Sequence, residues 1–172
     1  MFFLIYINDI SENLSPNTFI RLFADDSLLY REIKTKEDAH ILQEDLNTLQ
    51  KWEVTWKMEF HPQKCQLLRI TNKLKIINAD YSIHNVTLEE TPAAKYLGVT
   101  IDSKLRWKEH YNTIQKKSNK ILGFLRRNIY DCPEKVKIHC YNTLVKPVLD
   151  YGCPVWDPYQ QVDKNNLERI QK

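Results

Sequence analysis

The chain has 172 residues, enough for one domain or a small pair. Its apolar fraction of 42% supports a core, and only three glycines with no low-complexity tract exclude a disordered polymer. Charge is uneven: residues 1–62 hold 6 basic and 11 acidic residues, the remainder 19 and 11. That asymmetry suits a cation-binding part followed by a part that faces a polyanion, and equally suits plain solvated helix faces.

The apolar start, Met1 to Ile7, is too short to span a membrane and lacks a basic leader and a small-residue cleavage site. It reads as a core helix closed by Asn8-Asp9, with Ser15-Pro16-Asn17 as a loop. Two runs rich in aromatic and branched residues follow, Phe19-Ile20-Arg21-Leu22-Phe23 and Ser27-Leu28-Leu29-Tyr30. They predict a β-hairpin over Phe19–Glu32. Asp25 and Asp26 stand at its tip, where Gly, Asn or Pro would be usual. Adjacent carboxylates repel unless a cation or protons intervene. Hard oxygen ligands on a rigid hairpin suit Mg²⁺, and that combination points to metal-assisted phosphoryl transfer. The bland alternative is a solvated acidic turn.

Thr35 offers an N-cap, with Glu37 and Asp38 in the first turn. Leu42, Leu46, Leu49, Trp52 and Trp56 then recur at spacings of four and three, one apolar stripe on a helix that Pro62 stops. Short strands are expected at Cys65–Ile70, Lys75–Ile77, Tyr81–Ile83 and Val86–Leu88, with His84-Asn85 as a tight turn. Lys95 to Ile101 reads as one further strand, with Gly98 marking a bulge or a close backbone approach.

From Trp107 the chain turns helical and basic. Lys104, Arg106, Lys108, Lys116, Lys117, Lys120, Arg126 and Arg127 face only Glu109 between Ser103 and Asn128. Ile114, Ser118, Ile121, Leu122 and Leu125 give this helix a buried stripe; its other faces are basic enough to follow a phosphate backbone. Pro133 suits the start of the next helix, with Val136, Cys140, Leu144 and Val148 as its inner face and a kink or end at Pro147. Trp156, Tyr151 and Tyr159 either stack on bases or pack as a lid, and Asp163 caps a last helix. Cys65, Cys132, Cys140 and Cys153 show no C-x-x-C, and the five histidines no metal-ligand spacing, so reduced thiols in an intracellular setting are expected.

Phe23-Ala24-Asp25-Asp26 resembles the catalytic box of reverse transcriptases of non-LTR (LINE-like, jockey/CR1-like) retrotransposons. Four more blocks stand in the family's order. Phe2–Ile10 resembles the helix leading toward the catalytic hairpin, and His61-Pro62-Gln63-Lys64-Cys65 the next palm motif. Tyr96-Leu97-Gly98-Val99 resembles the primer-grip hairpin, and Tyr151–Tyr159 a segment after the thumb. The likeness covers essentially the whole chain.

The resemblance implies an α+β fold. A partial polymerase palm, a small antiparallel sheet with helices on one face, would occupy residues 1–103, and a mainly helical thumb residues 104–172. It implies RNA-directed DNA polymerisation with Mg²⁺ (or Mn²⁺), on an RNA template, a DNA primer and deoxynucleotides, with no membrane and no small-molecule cofactor. Asp25 would be the shared metal ligand, Asp26 the second carboxylate, and Lys64 the lysine beside the triphosphate. Tyr96, Leu97 and Gly98 would position the primer, and Lys116, Lys117, Lys120, Arg126 and Arg127 would hold the duplex. The family's further metal-binding aspartate and its fingers lie upstream of the block at Phe2, so the expectation is a fragment, inactive alone. The alternatives are a non-catalytic nucleic-acid-binding remnant and a segment with no selected role that does not fold stably.

Overall fold

The computed structural model describes residues 7–158 and 160–171. The expected helix at Phe2–Ile10 falls outside them, apart from its end. The fold is α+β, and the chain divides into two compact units, Met1–Pro92 and Ala93–Lys172.

In the first unit, a 3₁₀ turn at Asn8–Ser11 leads through the Ser15–Asn17 loop into β1 (Thr18–Phe23), which pairs antiparallel with β2 (Asp26–Arg31). Helix α1 (Lys36–Trp56) follows, and its N-terminus is built as the sequence indicates. The Thr35 hydroxyl accepts the Asp38 N–H at 3.2 Å, and the Asp38 carboxylate accepts the Thr35 N–H at 2.9 Å. Thr35's hydroxyl, the Lys34 N–H and the Arg31 guanidinium together hold the Asp38 carboxyl down at about 2. A carboxyl depressed in this way stabilises the fold above its unfolded value near 4 and loses that contribution as pH falls through about 2. Carbon-detected NMR should therefore show Asp38 still ionised at pH 3. Thr35→Ala should cost about 1 kcal/mol, read by urea unfolding, and should move the Asp38 titration upward.

Leu46, Leu49 and Trp52 of the predicted stripe are buried, and Leu42 and Trp56 half-buried. The helix ends before Pro62, at Lys57, whose φ of 53° takes the left-handed conformation common at C-termini. Pro62 instead opens a 3₁₀ turn, Pro62–Lys64.

Beyond it lie β3 (Gln66–Leu67), β4 (Ser82–Ile83), β5 (Val86–Thr87) and β6 (Glu89–Glu90). β4 and β5 pair antiparallel across His84-Asn85, both at positive φ, as a type I′ turn requires. β3 pairs parallel with β6. Lys75–Ile77 forms no strand. Arg69 takes the carbonyls there, donating to Ile77 O at 2.7 Å and Ala79 O at 3.3 Å while its other edge binds Glu90. Among the described residues the strands form four two-stranded pairs rather than one small sheet. The reason is length: two-residue strands whose side chains are mostly exposed offer neither hydrogen bonds nor an apolar face enough to add a third member.

In the second unit, β7 (Ala93–Tyr96) and β8 (Val99–Asp102) make an antiparallel hairpin. The single strand expected over Lys95–Ile101 is therefore folded back at Leu97-Gly98, both at positive φ. Helix α2 (Lys108–Asn128) buries Ile114, Ser118 and Leu125, with Ile121 and Leu122 half-buried, as its stripe predicts. Helix α3 (Glu134–Cys140) starts one residue after Pro133 and runs into a π-helical turn, Tyr141–Val145, and then α4 (Lys146–Asp150).

This π turn corrects half of the expected inner face. Val136 is 41% and Leu144 46% exposed, while Val145 is fully buried and Leu149 nearly so. One wide turn shifts the register by a residue, so Tyr141, Val145 and Leu149 join the expected Cys140 and Val148 against the core. The expected end at Pro147 is not seen: Pro147 stands in the first turn of α4, where its missing N–H is tolerated, and the helix runs on to Asp150. Short α5 (Cys153–Trp156) and α6 (Gln161–Gln171) complete the unit; α6 begins two residues before the expected cap Asp163. All four cysteines are free, and among the described residues no helix is long and apolar enough to cross a membrane.

Candidate active-site hairpin and nucleic-acid-facing residues

The β1–β2 hairpin is fastened at its base. Asp45, buried in α1, accepts the Ser15 N–H at 2.8 Å and the Thr18 hydroxyl at 2.5 Å. Arg31 at the end of β2 donates to Pro16 O at 2.7 Å, to the Thr18 hydroxyl at 3.1 Å and to Asp38 at 3.1 Å. Ile20 and Leu29, opposite each other in the register, enter the core beside Leu49 and Trp52. Polar groups from both strands thus lock onto α1, leaving the far end to project.

Phe23 pairs with Asp26, so the turn is the two residues Ala24 and Asp25. Ala24 has φ 51° and Asp25 does not have a positive φ, so an alanine takes a left-handed turn position that usually goes to glycine. That conformation costs an alanine about 1 kcal/mol, a local strain of the kind found at functional turns. Asp25 and Asp26 are both exposed at the tip. Alternation along the strands puts Asp26 on the same face as Phe23, Leu28 and Tyr30, where Tyr30 stacks on Phe19 at 5.4 Å.

Lys64 ends the Pro62–Lys64 turn and is exposed. Its flanks, Phe60 and Cys65, pack with Leu29 of β2 against the core of the first unit. Lys64 therefore stands on a turn seated on the same cluster as the acidic hairpin.

In the second unit, Tyr96, Leu97 and Gly98 form the return of β7–β8. Gly98 has φ +83°, and a Cβ there would lie 3.1 Å from the Tyr151 ring. The expected bulge is instead a tight turn, and the close approach is that of the Tyr151 side chain. On α2, all five expected cations are exposed, and none is in a salt bridge among the described residues. Lys116, Lys120 and Arg127 fall within about 40° of one another around the helix, while Lys117 and Arg126 stand to either side.

Trp156 is 2% exposed and donates its indole N–H to Tyr151 O at 2.8 Å. It packs edge-on to His110, so it is a structural lid and not a base platform. His110 accepts the Thr100 N–H on Nδ1, and burial together with Lys95 keeps its imidazole neutral to lower pH than usual. Tyr159 lies outside the described residues. Sequence reasoning missed the Asp45–Thr18–Arg31 anchor. An aspartate at a position flanked by the stripe residues Leu42, Leu46 and Leu49 was its available signal.

A family profile described as "Reverse transcriptase (RNA-dependent DNA polymerase)" matches residues 1–101, more than half of the chain. The chain belongs to the reverse transcriptase family. It is a reverse transcriptase sequence of the non-LTR retrotransposon type. It is 31% identical over 158 residues to a "Probable RNA-directed DNA polymerase from transposon BS" of Drosophila melanogaster, covering 87% of this chain and 17% of that protein. It is 29% identical over 160 residues to the "RNA-directed DNA polymerase from mobile element jockey" of Drosophila funebris, covering 88% and 17%. The jockey polymerase of Drosophila melanogaster is 26% identical over 167 residues, covering 94% and 18%. The chain thus spans less than a fifth of the length of these curated relatives. No solved structure matches.

Reverse transcriptases generally use divalent metal ions and act on a nucleic-acid template with nucleotide substrates. Asp25 and Asp26 fit such an ion by donor chemistry: two hard oxygens at an exposed tip, with room for water or phosphate ligands. Among the described residues no third His, Cys, Asp or Glu joins them in a metal-holding group.

Proposed function

We propose that this reverse transcriptase chain is the palm-and-thumb portion of an RNA-directed DNA polymerase, with residues 1–103 as palm and 104–172 as thumb. The observation that carries the reading is the acidic pair at the strained tip of a hairpin anchored on α1, inside the segment that matches the family. The reaction joins the primer 3′ oxygen to the α-phosphorus of a deoxynucleotide and breaks that phosphorus–oxygen bond to pyrophosphate, with the 3′-hydroxyl proton released. Asp25 and Asp26 would hold Mg²⁺ (or Mn²⁺). The ion would supply the charge that stabilises the attacking and leaving oxygens. Lys64 places a mobile cation, and at most a proton, beside the departing pyrophosphate. Tyr96, Leu97 and Gly98 position the primer, and the α2 cations hold the duplex.

Two carboxylates on one hairpin grip an ion from one side only, so the 172-residue polypeptide by itself binds a primed template without extending it. The test is one preparation and two assays. With primed RNA, deoxynucleotides and Mg²⁺, no incorporation is expected. Robust incorporation that Asp25→Ala removes would overturn this part of the reading. Equilibrium binding should weaken with salt, log K falling against log salt with a slope of about −3 to −4.5 for three to five phosphates, and should survive Asp25→Ala. This second behaviour also belongs to a non-catalytic nucleic-acid-binding role, which the exposed α2 cations favour. Absence of binding at low salt would sink both.

A further inference from the structure

We propose that Tyr151 is a positioning residue for the β7–β8 turn: it sets where the tip at Leu97-Gly98 meets the 3′-terminal nucleotide of a primer. The inference rests on the reading of Tyr96–Val99 as the primer-holding turn and adds to it a residue from the distant Tyr151–Trp156 segment.

Turn geometry supplies the need. Leu97 and Gly98 have φ 45° and 83°, so the backbone doubles back in two residues, and the Leu97 carbonyl stands at the tip, away from the Tyr96–Val99 ladder pair. The Tyr151 hydroxyl donates to that carbonyl at 2.8 Å. The same ring covers Gly98 so closely that a Cβ would sit 3.1 Å from its Cε1 atom. One side chain thus fixes both tip residues: it engages the carbonyl of the first and occupies the space beside the second.

Tyr151 is itself held from its backbone. Its N–H donates to Pro147 O at 3.1 Å, closing α4, and its carbonyl accepts the Trp156 indole N–H at 2.8 Å. Gly152 follows at φ +66°, where a Cβ would stand 3.1 Å from Val99 Cγ2. Trp156 is wedged against His110 and Tyr111, at ring separations of 5.3 and 5.8 Å. Such a supporting shell is what a positioning group requires, because a loose tip would waste the contact it makes.

The stem of the hairpin is held without Tyr151. Val99 is buried in the core, and the Thr100 N–H is bonded to His110. Tyr151 is 57% exposed, so its hydroxyl adds little to packing. What that oxygen does is orient the tip carbonyl, and phenylalanine would keep the ring and lose only this.

The test uses the full chain and a DNA primer carrying 2-aminopurine at its 3′ end, annealed to RNA. The wild-type chain should change the fluorescence of the terminal base on binding. Tyr151→Phe should bind the duplex with nearly the wild-type affinity, because the α2 cations are intact, yet leave the terminal base at its unbound signal. Amide exchange at Gly98 and Val99 should rise about two- to tenfold in this variant. A wild-type chain that binds without changing the terminal signal overturns the primer reading and the inference with it. A wild-type change that Tyr151→Phe keeps in full overturns the inference alone. Loss of duplex affinity with an unaltered terminal signal would make the hydroxyl merely structural, and also overturns it.

Discussion

Trp156→Ala should destabilise the second unit by about 3–5 kcal/mol. The side chain is almost wholly buried among Val99, Tyr111, Ile114, Val145 and Leu149, and half a domain of this size has only several kcal/mol of stability in all. Truncation removes the ring, leaves a cavity beside His110 and Tyr111, and strips the Tyr151 carbonyl of its donor. Two losses add here, packing and a hydrogen bond. Trp156→Phe separates them: it retains most of the apolar volume and should cost less, about 1–2 kcal/mol, chiefly through the lost N–H. Calorimetry or urea unfolding followed at the α2 amides should show the transition of Ala93–Lys172 shifted steeply in the alanine variant and modestly in the phenylalanine variant. Equal, small shifts in both would mean that this corner is not the keystone of the unit.

The second large effect is expected at the acidic hairpin. A Mn²⁺ titration of the chain should broaden the backbone resonances of Ala24 to Ser27 first, with an affinity on the order of millimolar, since only two carboxylates act together. Asp25→Asn combined with Asp26→Asn should abolish that local broadening. The fold should persist, because both side chains are exposed and the hairpin is anchored at its other end by Asp45 and Arg31. The acids at the start of α1 provide the internal comparison: Asp38 is already engaged with Thr35 and Arg31, so manganese should find it a poor ligand. Broadening spread evenly over the acidic surface, and unchanged in the double variant, would reduce the tip to a solvated turn.

Local chemistry made some elements legible in advance. Thr35 announced a helix start because a side-chain oxygen three residues before an acid satisfies free N–H groups with no help from the rest of the chain. The hairpin around Asp25 and Asp26, the His84-Asn85 turn and the apolar stripes of α1 and α2 are of the same kind, set by periodicity or by residues tolerant of positive φ. The acidic box, Lys64 and the cation line were visible for a different reason, as short motifs and composition, and their exposure in the fold is what their charges require.

Other features were illegible because their causes lie far along the chain. Lys75–Ile77 has the branched residues of a strand, but the Arg69 guanidinium captured the nearby carbonyls. Val136 and Leu144 have the spacing of a buried face, but a π turn moved burial onto Tyr141, Val145 and Leu149. A four-residue periodicity cannot reveal a one-residue insertion in the hydrogen-bond ladder, since the insertion is chosen by what the helix packs against.

The amino-acid sequence alone thus determined the family, the acidic tip and its flanking strands, the start of α1 and the basic face of α2, all properties of neighbouring residues. Tertiary structure alone decided which side chains hold those parts in place: Asp45 and Arg31 under one hairpin, Tyr151 over the turn of the other. The reason is physical. A motif is specified by bonds and charges a few residues apart, whereas an anchor depends on desolvated contacts, such as the one between Tyr151 and Leu97, that exist only after distant segments have packed.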